Sequence, residues 1–272
     1  MNNKTWIEKV ESYCIKYNIP LTYLAEIINE PKVVPMIRGK AFEFSAMLRL
    51  QEILSPNWLV DKPVMNAQFG FHDMDVRVKH VATGKTIGIE CKLAGKDNFK
   101  KLKNGTYQIR VKCMRSRTLD DAKVKELAPK IGVDFDLLKI HNDQYVPENF
   151  DVVLTTIGNA FYDTNSETDA FDWHPNAVAI EFLEKLFKTN NPEDLQNLTF
   201  NNMYLAHSQD LKISPVNNVV CSRSQCPKPT DCGFIPNYPV IYFDENGLLA
   251  DNRWHSIEDA ESFFTRILPQ IS

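Results

Sequence analysis

The chain has 272 residues, of which 43% are hydrophobic and 24% are charged, and its formal net charge is −4. These values are typical of a soluble globular protein, and the negative net charge taken alone argues against a nucleic-acid-binding protein. No apolar run approaches the roughly 18 residues needed to cross a bilayer, and the amino-terminal residues contain no apolar signal segment, so we exclude a membrane span and expect a cytoplasmic protein.

The first 54 residues predict helices. Apolar residues recur at helical spacing over residues 4–18 and again over Leu21–Ile28, and Pro31–Pro35 is expected to be a connector. A broader apolar face predicts a longer helix over Arg38–Leu54, with Glu43 in its first half. Helices therefore precede every predicted strand.

A hairpin is predicted over residues 73–93, after an irregular stretch over residues 58–69. Apolar and polar residues alternate along both halves of the hairpin, and Thr83–Gly84 is the expected turn. The alternation directs one set of side chains toward the core, namely Val76, Val78, Ile87, Ile89 and Cys91. The other side chains project from the opposite face.

The rest of the chain mixes strands, helices and loops. The predicted elements are a basic loop over Gly95–Gly105, a strand over Tyr107–Met114, a helix capped by Thr118 and ending at about Leu127, a core strand over Phe150–Ile157, a helix over Asn176–Phe187, a strand over Met203–Ala206, a loop rich in Pro and Cys over Asn217–Asn237, a hairpin over Tyr238–Ala250 and a helix over 257–268. This order predicts an α/β fold, with a mixed central sheet flanked by helices and a C-terminal elaboration rich in Cys and Pro.

Two acids and a lysine are predicted to share one face of the hairpin. Glu90 and Lys92 are two residues apart on a strand, so their side chains project from the same face. The expected turn would place Asp75 near Lys92 and Arg77 near Glu90. Two carboxylates suit Mg²⁺, and a nearby cation can offset the charge that develops during phosphodiester hydrolysis. A solvated strand face with a cross-strand ion pair would carry the same residues.

This pattern resembles the motif of the PD-(D/E)xK nucleases over roughly residues 38–118. The resemblance implies that Asp75 and Glu90 bind the metal and that Lys92 is the catalytic lysine. It also implies that Glu43, on the preceding helix, assists metal binding. The implied cofactor is Mg²⁺, which Mn²⁺ can replace.

The chain departs from the family pattern at one position. Met74 stands where the family usually has proline, and Asp73 has the same parity as Asp75 and is an alternative to it. Because the chain is of moderate size and shows no helicase or ATPase signature, it looks most like a type II restriction endonuclease of a restriction-modification system. The alternatives are a structure-specific or repair nuclease and a non-catalytic DNA-binding protein.

The restriction-enzyme resemblance implies a partner and an assembly. The partner is double-stranded DNA cut at a specific short site, and the assembly is a homodimer whose two active sites match a palindrome. We expect a single nuclease domain over residues 1–272, with a catalytic core over about 38–158 and the elaboration over about 200–272.

Basic residues are concentrated just after the hairpin. From Lys92 to Arg117 there are nine basic residues and one acid, Asp97. Lysines can follow a phosphate backbone, and arginine suits the O6 and N7 edge of guanine. The candidate DNA contacts are Lys96, Lys100, Lys101, Arg110, Lys112, Arg115, Ser116 and Arg117. A solvated charged loop is the alternative interpretation.

Three cysteines lie close together in the Pro-rich loop, namely Cys221, Cys226 and Cys232. Cysteines at such spacing can ligate a structural zinc ion, which needs a fourth ligand. The candidates for that ligand are His207, His255 and Cys113. The alternatives are unligated thiols, an iron–sulfur cluster shared with Cys14, and a zinc-organised protein-interaction domain.

Overall fold

The computed structural model describes residues 5–63, 74–115, 118–167 and 169–271. The helices of these residues are α1 (Trp6–Lys16), α2 (Leu24–Asn29), α3 (Val34–Ile53), α4 (Asp121–Leu127), α5 (Phe135–Ile140), α6 (Ala177–Phe187), α7 (Pro192–Asn201), α8 (Ser208–Leu211) and α9 (Ala260–Ile267). The strands are β1 (Trp58–Asp61), β2 (Val76–His80), β3 (Thr86–Lys101), β4 (Tyr107–Val111), β5 (Val152–Thr156), β6 (Tyr162–Thr164), β7 (Phe171–Trp173), β8 (Met203–His207), β9 (Val240–Phe243) and β10 (Trp254–Ser256). Among the described helices, none has the length and apolar character that a membrane span requires.

The long strand β3 organises the sheet. Its first half pairs antiparallel with β2 and parallel with β5, and its second half pairs antiparallel with β4. The pairing with β4 shifts register between Ala94 and Phe99, and such an irregularity bends a strand. The strand order is β1-β2-β3-β5-β8-β10, with β4 joined to β3 and β9 joined to β4. The result is the predicted mixed sheet, curled where β3 changes partners.

Helices cover both faces of this sheet. On one face, residues of α3 and α9 form a core with β2, β3 and β5, and on the other, residues of α6 form a second core with β4, β8 and β9. All five residues of β5 are buried because Val152 and Leu154 face the first core and Val153 faces the second. The predicted mixed α/β fold flanked by helices is therefore confirmed.

A third, smaller core lies between α4, α5 and the C-terminal loop. It contains Val124, Leu138, Val146 and Phe234, together with the three closely spaced cysteines. Residues 217–237 contain no helix or strand, as the sequence predicts. The Cys-rich elaboration thus packs on the chain through its own hydrophobic cluster.

Several predicted boundaries are wrong. Helix α3 begins at Val34 because Pro35, placed in the predicted connector, is compatible with the first turn of a helix. The N-cap of α4 is Asp120 rather than Thr118, and the Asp120 side chain accepts a hydrogen bond of 2.8 Å from the Lys123 N–H. Local patterns located both helices but misplaced their first residues.

Strands also form in stretches for which the sequence predicts none. Trp58–Asp61, expected to be irregular, pairs antiparallel with β2. The predicted basic loop from Gly95 is largely the second half of β3, which continues to Lys101. Strand β1 is stabilised by pairing with β2, and the second half of β3 by pairing with β4. A short stretch or a lysine-rich stretch shows no alternation of apolar and polar residues that would predict such a strand. The sequence also missed α5, α7, α8, β6, β7 and β10.

Candidate active site

Asp75 immediately precedes β2 and lies beside β3. Val76 pairs with Ile89, and the backbone N–H of Asp75 donates to the Ile89 carbonyl oxygen at 2.9 Å. The Asp75 carboxylate extends over β3, where its Oδ2 accepts a hydrogen bond of 3.0 Å from the backbone N–H of Cys91. Asp75 therefore lies against the segment of β3 that carries Glu90 and Lys92.

This register differs from the predicted one by two residues. Arg77 pairs with Gly88 instead of lying beside the second acid, because the chain turns through residues 81–84 rather than through Thr83–Gly84 alone. The N–H of His80 donates to the Lys85 carbonyl oxygen at 2.9 Å and closes the longer turn. Since the shift is an even number of residues, the side chains keep their predicted faces and only their cross-strand partners change.

Lys92 lies next to Glu90 on the same face of β3. Its Nζ is 2.5 Å from Glu90 Oε1, and the two side chains are 17% and 6% exposed. Burial disfavours the charged ammonium, but Glu90, Tyr145 and Cys113 together outweigh burial and raise the pKa of Lys92. Lys92 is therefore held in its protonated form.

Tyr145, which is distant in the sequence, contacts both Lys92 and Glu90. Its hydroxyl oxygen accepts a hydrogen bond of 3.2 Å from Lys92 Nζ, and its O–H donates to Glu90 Oε1 at 3.4 Å. The Lys92 ammonium is also 5.0 Å from the centre of the Tyr145 ring. The sequence shows no spacing pattern that selects Tyr145, which follows α5 and is 53 residues from Lys92.

Glu43 reaches the site from α3 and binds two lysines. Lys40 Nζ is 2.6 Å from Glu43 Oε1, and Lys62 Nζ contacts Glu43 Oε2. Lys62 also donates to the backbone carbonyl oxygen of Asp75 at 3.2 Å. Lys62 thus links Glu43 to the backbone of Asp75. The sequence placed Lys62 in an irregular stretch and did not predict it as a site residue.

The acids influence one another electrostatically. Burial, reinforced by the charge of Glu43, raises the pKa of Asp75 to about 6. Burial also raises the pKa of the Cys91 thiol well above its ordinary value, and the charges of Asp75 and Glu90 add to this effect. Crowded carboxylates of this kind favour any cation that can enter among them.

A cleft of about 840 Å³ opens over the site. Glu43 and Lys92 line it together with Lys32, Lys96 and Lys112. Two of the predicted DNA contacts, Lys96 and Lys112, therefore lie in the same cleft as Glu43 and Lys92, two of the four predicted catalytic residues. Lys32, which precedes α3, adds a basic side chain that the sequence did not single out.

The other lysines of the predicted DNA-binding set lie along β3. Lys101 Nζ is 3.3 Å from a carboxylate oxygen of Glu181, and Lys100 is exposed. Lys96 is also paired, with Nζ 3.1 Å from Asp163 Oδ1. These lysines belong to a strand, not to the predicted loop, and ion pairs hold two of them at the surface.

The predicted arginine contacts are dispersed. Arg110 lines a separate cleft of about 1020 Å³. Arg115 is half-buried, donates to the Gln144 carbonyl oxygen at 3.1 Å and lies 4.7 Å from the centre of the Tyr145 ring. Three residues of the prediction lie outside the described residues, namely Asp73, Ser116 and Arg117.

A second group of ligating side chains lies in the third core. The ligand atoms of His141, Cys221, Cys226 and Cys232 all lie within 4.8 Å of one another, and all four residues are buried. The group is compatible with a structural zinc ion. The predicted fourth ligands are wrong, because His207, His255 and Cys113 are not members of the group. His141 ends α5 and lies far from the cysteines in the sequence, so no local spacing identifies it.

Comparisons with known proteins add little to this geometry. No protein-family model and no curated protein sequence matches the chain. Among solved structures, the chain is similar to a bacterial homing endonuclease, I-Ssp6803I, with 16% sequence identity and a TM-score of 0.21. The similarity covers 53% of this chain and 67% of that chain. At this TM-score the similarity identifies no shared fold and assigns no activity to the chain.

Proposed function

We propose that the protein is a Mg²⁺-dependent deoxyribonuclease that hydrolyses phosphodiester bonds of double-stranded DNA. The observation that carries this proposal is the meeting of Asp75, Glu90 and Lys92 at β3, with Glu43 contributed by α3. These are the residue types and the spacing of the PD-(D/E)xK nucleases that the sequence resembles. Cleavage at a specific short site, as by a type II restriction endonuclease, is the form of the activity that we infer.

The donor set suits the implied metal ion. Asp75, Glu90 and Glu43 would hold Mg²⁺, or Mn²⁺ in its place, because these ions prefer carboxylate oxygens. Bound there, the ion would supply Lewis-acid polarisation of the scissile phosphate. Glu43 is bound by two lysines in the structure, but the side chain of Lys40 is 70% exposed, so its ammonium can leave at little cost.

Lys92 acts as a cationic donor in this proposal. Its raised pKa keeps it protonated, so it offsets negative charge on the phosphate and orients the attacking water instead of removing a proton from it. Tyr145 and Glu90 hold the ammonium in place before substrate arrives. A preorganised charge of this kind loses little energy to reorientation during the reaction.

The cleft suggests the path of the DNA. Lys32, Lys96 and Lys112 line the cleft together with Lys92. Ammonium groups that line one cleft can contact phosphates of the DNA backbone without regard to base sequence. We propose that Lys100, Lys101, Arg110 and Arg115, with Ser116 and Arg117, extend this contact or read bases. A homodimer of single nuclease domains, each with its catalytic core over about 38–158, would place two such clefts on a palindromic site.

The test is plasmid cleavage with Mg²⁺ by the variants Glu90→Gln and Lys92→Met. Each removes a charged group at the site, and we expect each to lower the cleavage rate by about 100-fold or more. The matched control is Lys79→Met, which removes an exposed lysine from the same hairpin and is expected to leave the rate unchanged. Full activity in both site variants would contradict the assignment of the site.

The cleavage products separate the remaining functions. Discrete DNA fragments with one end sequence would support a restriction enzyme. Smeared products, or a preference for branches and ends, would support a repair nuclease. Salt-dependent binding of DNA without cleavage in Mg²⁺ or Mn²⁺ would refute nuclease activity and leave a DNA-binding protein.

A further inference from the structure

We propose that His141, Cys221, Cys226 and Cys232 bind one structural Zn²⁺ ion. This site is separate from the proposed active site, and the proposal does not depend on nuclease activity. Its ligand atoms already lie within 4.8 Å of one another. Tetrahedral zinc with Zn–S bonds of about 2.3 Å needs sulfur atoms about 3.8 Å apart, so closing the site requires shifts of about 1 Å or less.

The hydrogen bonds of His141 distinguish its two ring nitrogens. His141 Nδ1 is hydrogen-bonded to the Gln144 side-chain oxygen, and Gln144 Nε2 donates to the Ile235 carbonyl oxygen at 3.0 Å. Because the second bond orients the amide with its oxygen toward the ring, Nδ1 must carry the proton. The lone pair is therefore on Nε2.

His141 is fully buried, and its Nε2 has no hydrogen-bond partner among the described residues. A buried acceptor without a partner is rare in folded proteins, whereas a zinc-ligating histidine commonly donates its other N–H to a fixed oxygen. Both halves of this pattern are present at His141.

Backbone groups around the cysteines suit thiolate ligands. The N–H of Arg223 donates to Cys221 Sγ at 3.4 Å. Gly233, between Cys232 and Phe234, adopts φ +80°, a conformation that glycine favours. A donor N–H such as that of Arg223 stabilises the negative sulfur that zinc requires.

Competing arrangements of the thiols explain the histidine less well. All six cysteines are free, and a disulfide between two of the three clustered thiols would leave the third cysteine and the histidine without a role. An iron–sulfur cluster shared with Cys14 is not supported, because Cys14 lies in α1 and is not a member of the group. Four protein ligands without an open position indicate a structural zinc site rather than a catalytic one.

The metal would join two segments that already meet in the third core. The turn after α5 and the loop over residues 221–237 also meet through Asp143, which is bound by Arg223 and accepts a hydrogen bond of 2.8 Å from Asn237. The Ile235 N–H donates to the Tyr145 carbonyl oxygen at 2.8 Å. The zinc ion would therefore hold in place the turn that carries Tyr145 to Lys92.

The experiment measures metal in the full-length chain purified from zinc-supplemented cells. We expect about one zinc per chain in the wild type and in the control Cys14→Ser, which removes a buried cysteine outside the group. The variants Cys226→Ser and Cys232→Ser should lose the metal. Zinc retained in both, or absent from the wild type, would overturn the proposal.

Cobalt substitution keeps the test decisive if the cysteine variants fail to fold. Co²⁺ replacing zinc in the wild-type chain should give the visible bands of a tetrahedral ion and a thiolate-to-cobalt charge-transfer band. A spectrum without thiolate charge transfer, or iron as the bound metal, would refute the zinc site. Each readout is independent of DNA cleavage.

Discussion

Replacing Tyr145 with phenylalanine removes one oxygen from the centre of the proposed active site. That hydroxyl accepts a hydrogen bond from Lys92 at 3.2 Å and donates one to Glu90 at 3.4 Å. Hydrogen bonds to charged groups contribute about 1.5–3 kcal/mol, and both distances are long for hydrogen bonds. The direct contact between Lys92 and Glu90, at 2.5 Å, remains in the variant. We therefore expect a loss of about 1.4 kcal/mol of transition-state stabilisation, which is a roughly tenfold lower rate.

The assay is single-turnover cleavage of a plasmid in Mg²⁺, with DNA affinity measured separately. Tyr145 positions Lys92 but is not one of the residues that line the cleft proposed to hold DNA. Tyr145→Phe should therefore lower the cleavage rate constant and leave the DNA affinity unchanged. Tyr204→Phe is the matched control, since Tyr204 is also buried but lies on β8, two strands from Lys92. A rate within twofold of the wild type would refute the positioning role, and a loss as large as that of Lys92→Met would show that the hydroxyl takes part in the chemistry.

Three further predictions concern zinc, DNA and stability. Gln144→Ala should weaken zinc binding by about 10–100-fold in a chelator competition, because it removes the acceptor that fixes the His141 tautomer; unchanged affinity would contradict the assigned tautomer. Lys112→Ala should weaken binding to all DNA sequences and reduce the slope of log affinity against log salt by about 1, as measured by titration at several salt concentrations; the slope should persist if Lys112 touches no phosphate. Leu50→Ala should lower the free energy of unfolding by about 2–5 kcal/mol in denaturant titration, because Leu50 is a fully buried residue of α3. Leu48→Ala, at a 60% exposed position of the same helix, should change that free energy little.

Local sequence patterns were sufficient for the elements that bury one clear face. The apolar residues of α3 recur at helical spacing, and Phe42, Ala46 and Leu50 are fully buried as that spacing predicts. Alternation along β2 and β3 likewise placed Glu90 and Lys92 on the same face. These features depend only on the periods of the helix and the strand, which neighbouring residues reveal.

The register of the hairpin lay beyond such patterns. A turn of two residues and a turn of four residues leave every side chain on the same face, so alternation cannot distinguish them. The choice decided that Arg77 pairs with Gly88 and does not lie across from Glu90. Strand β1 and the second half of β3 were also missed, because their pairing partners lie elsewhere in the chain.

By itself, the sequence determined the fold class, the shared face of Glu90 and Lys92 on β3 and the three clustered cysteines. Only the tertiary structure brought Lys62 to Glu43, Tyr145 to Lys92 and His141 to the cysteines. Each of these contacts joins residues from different elements, and no spacing rule connects such residues along the chain. These side chains meet because β3 pairs with β2, β5 and β4, and because the Cys-rich loop packs against α5.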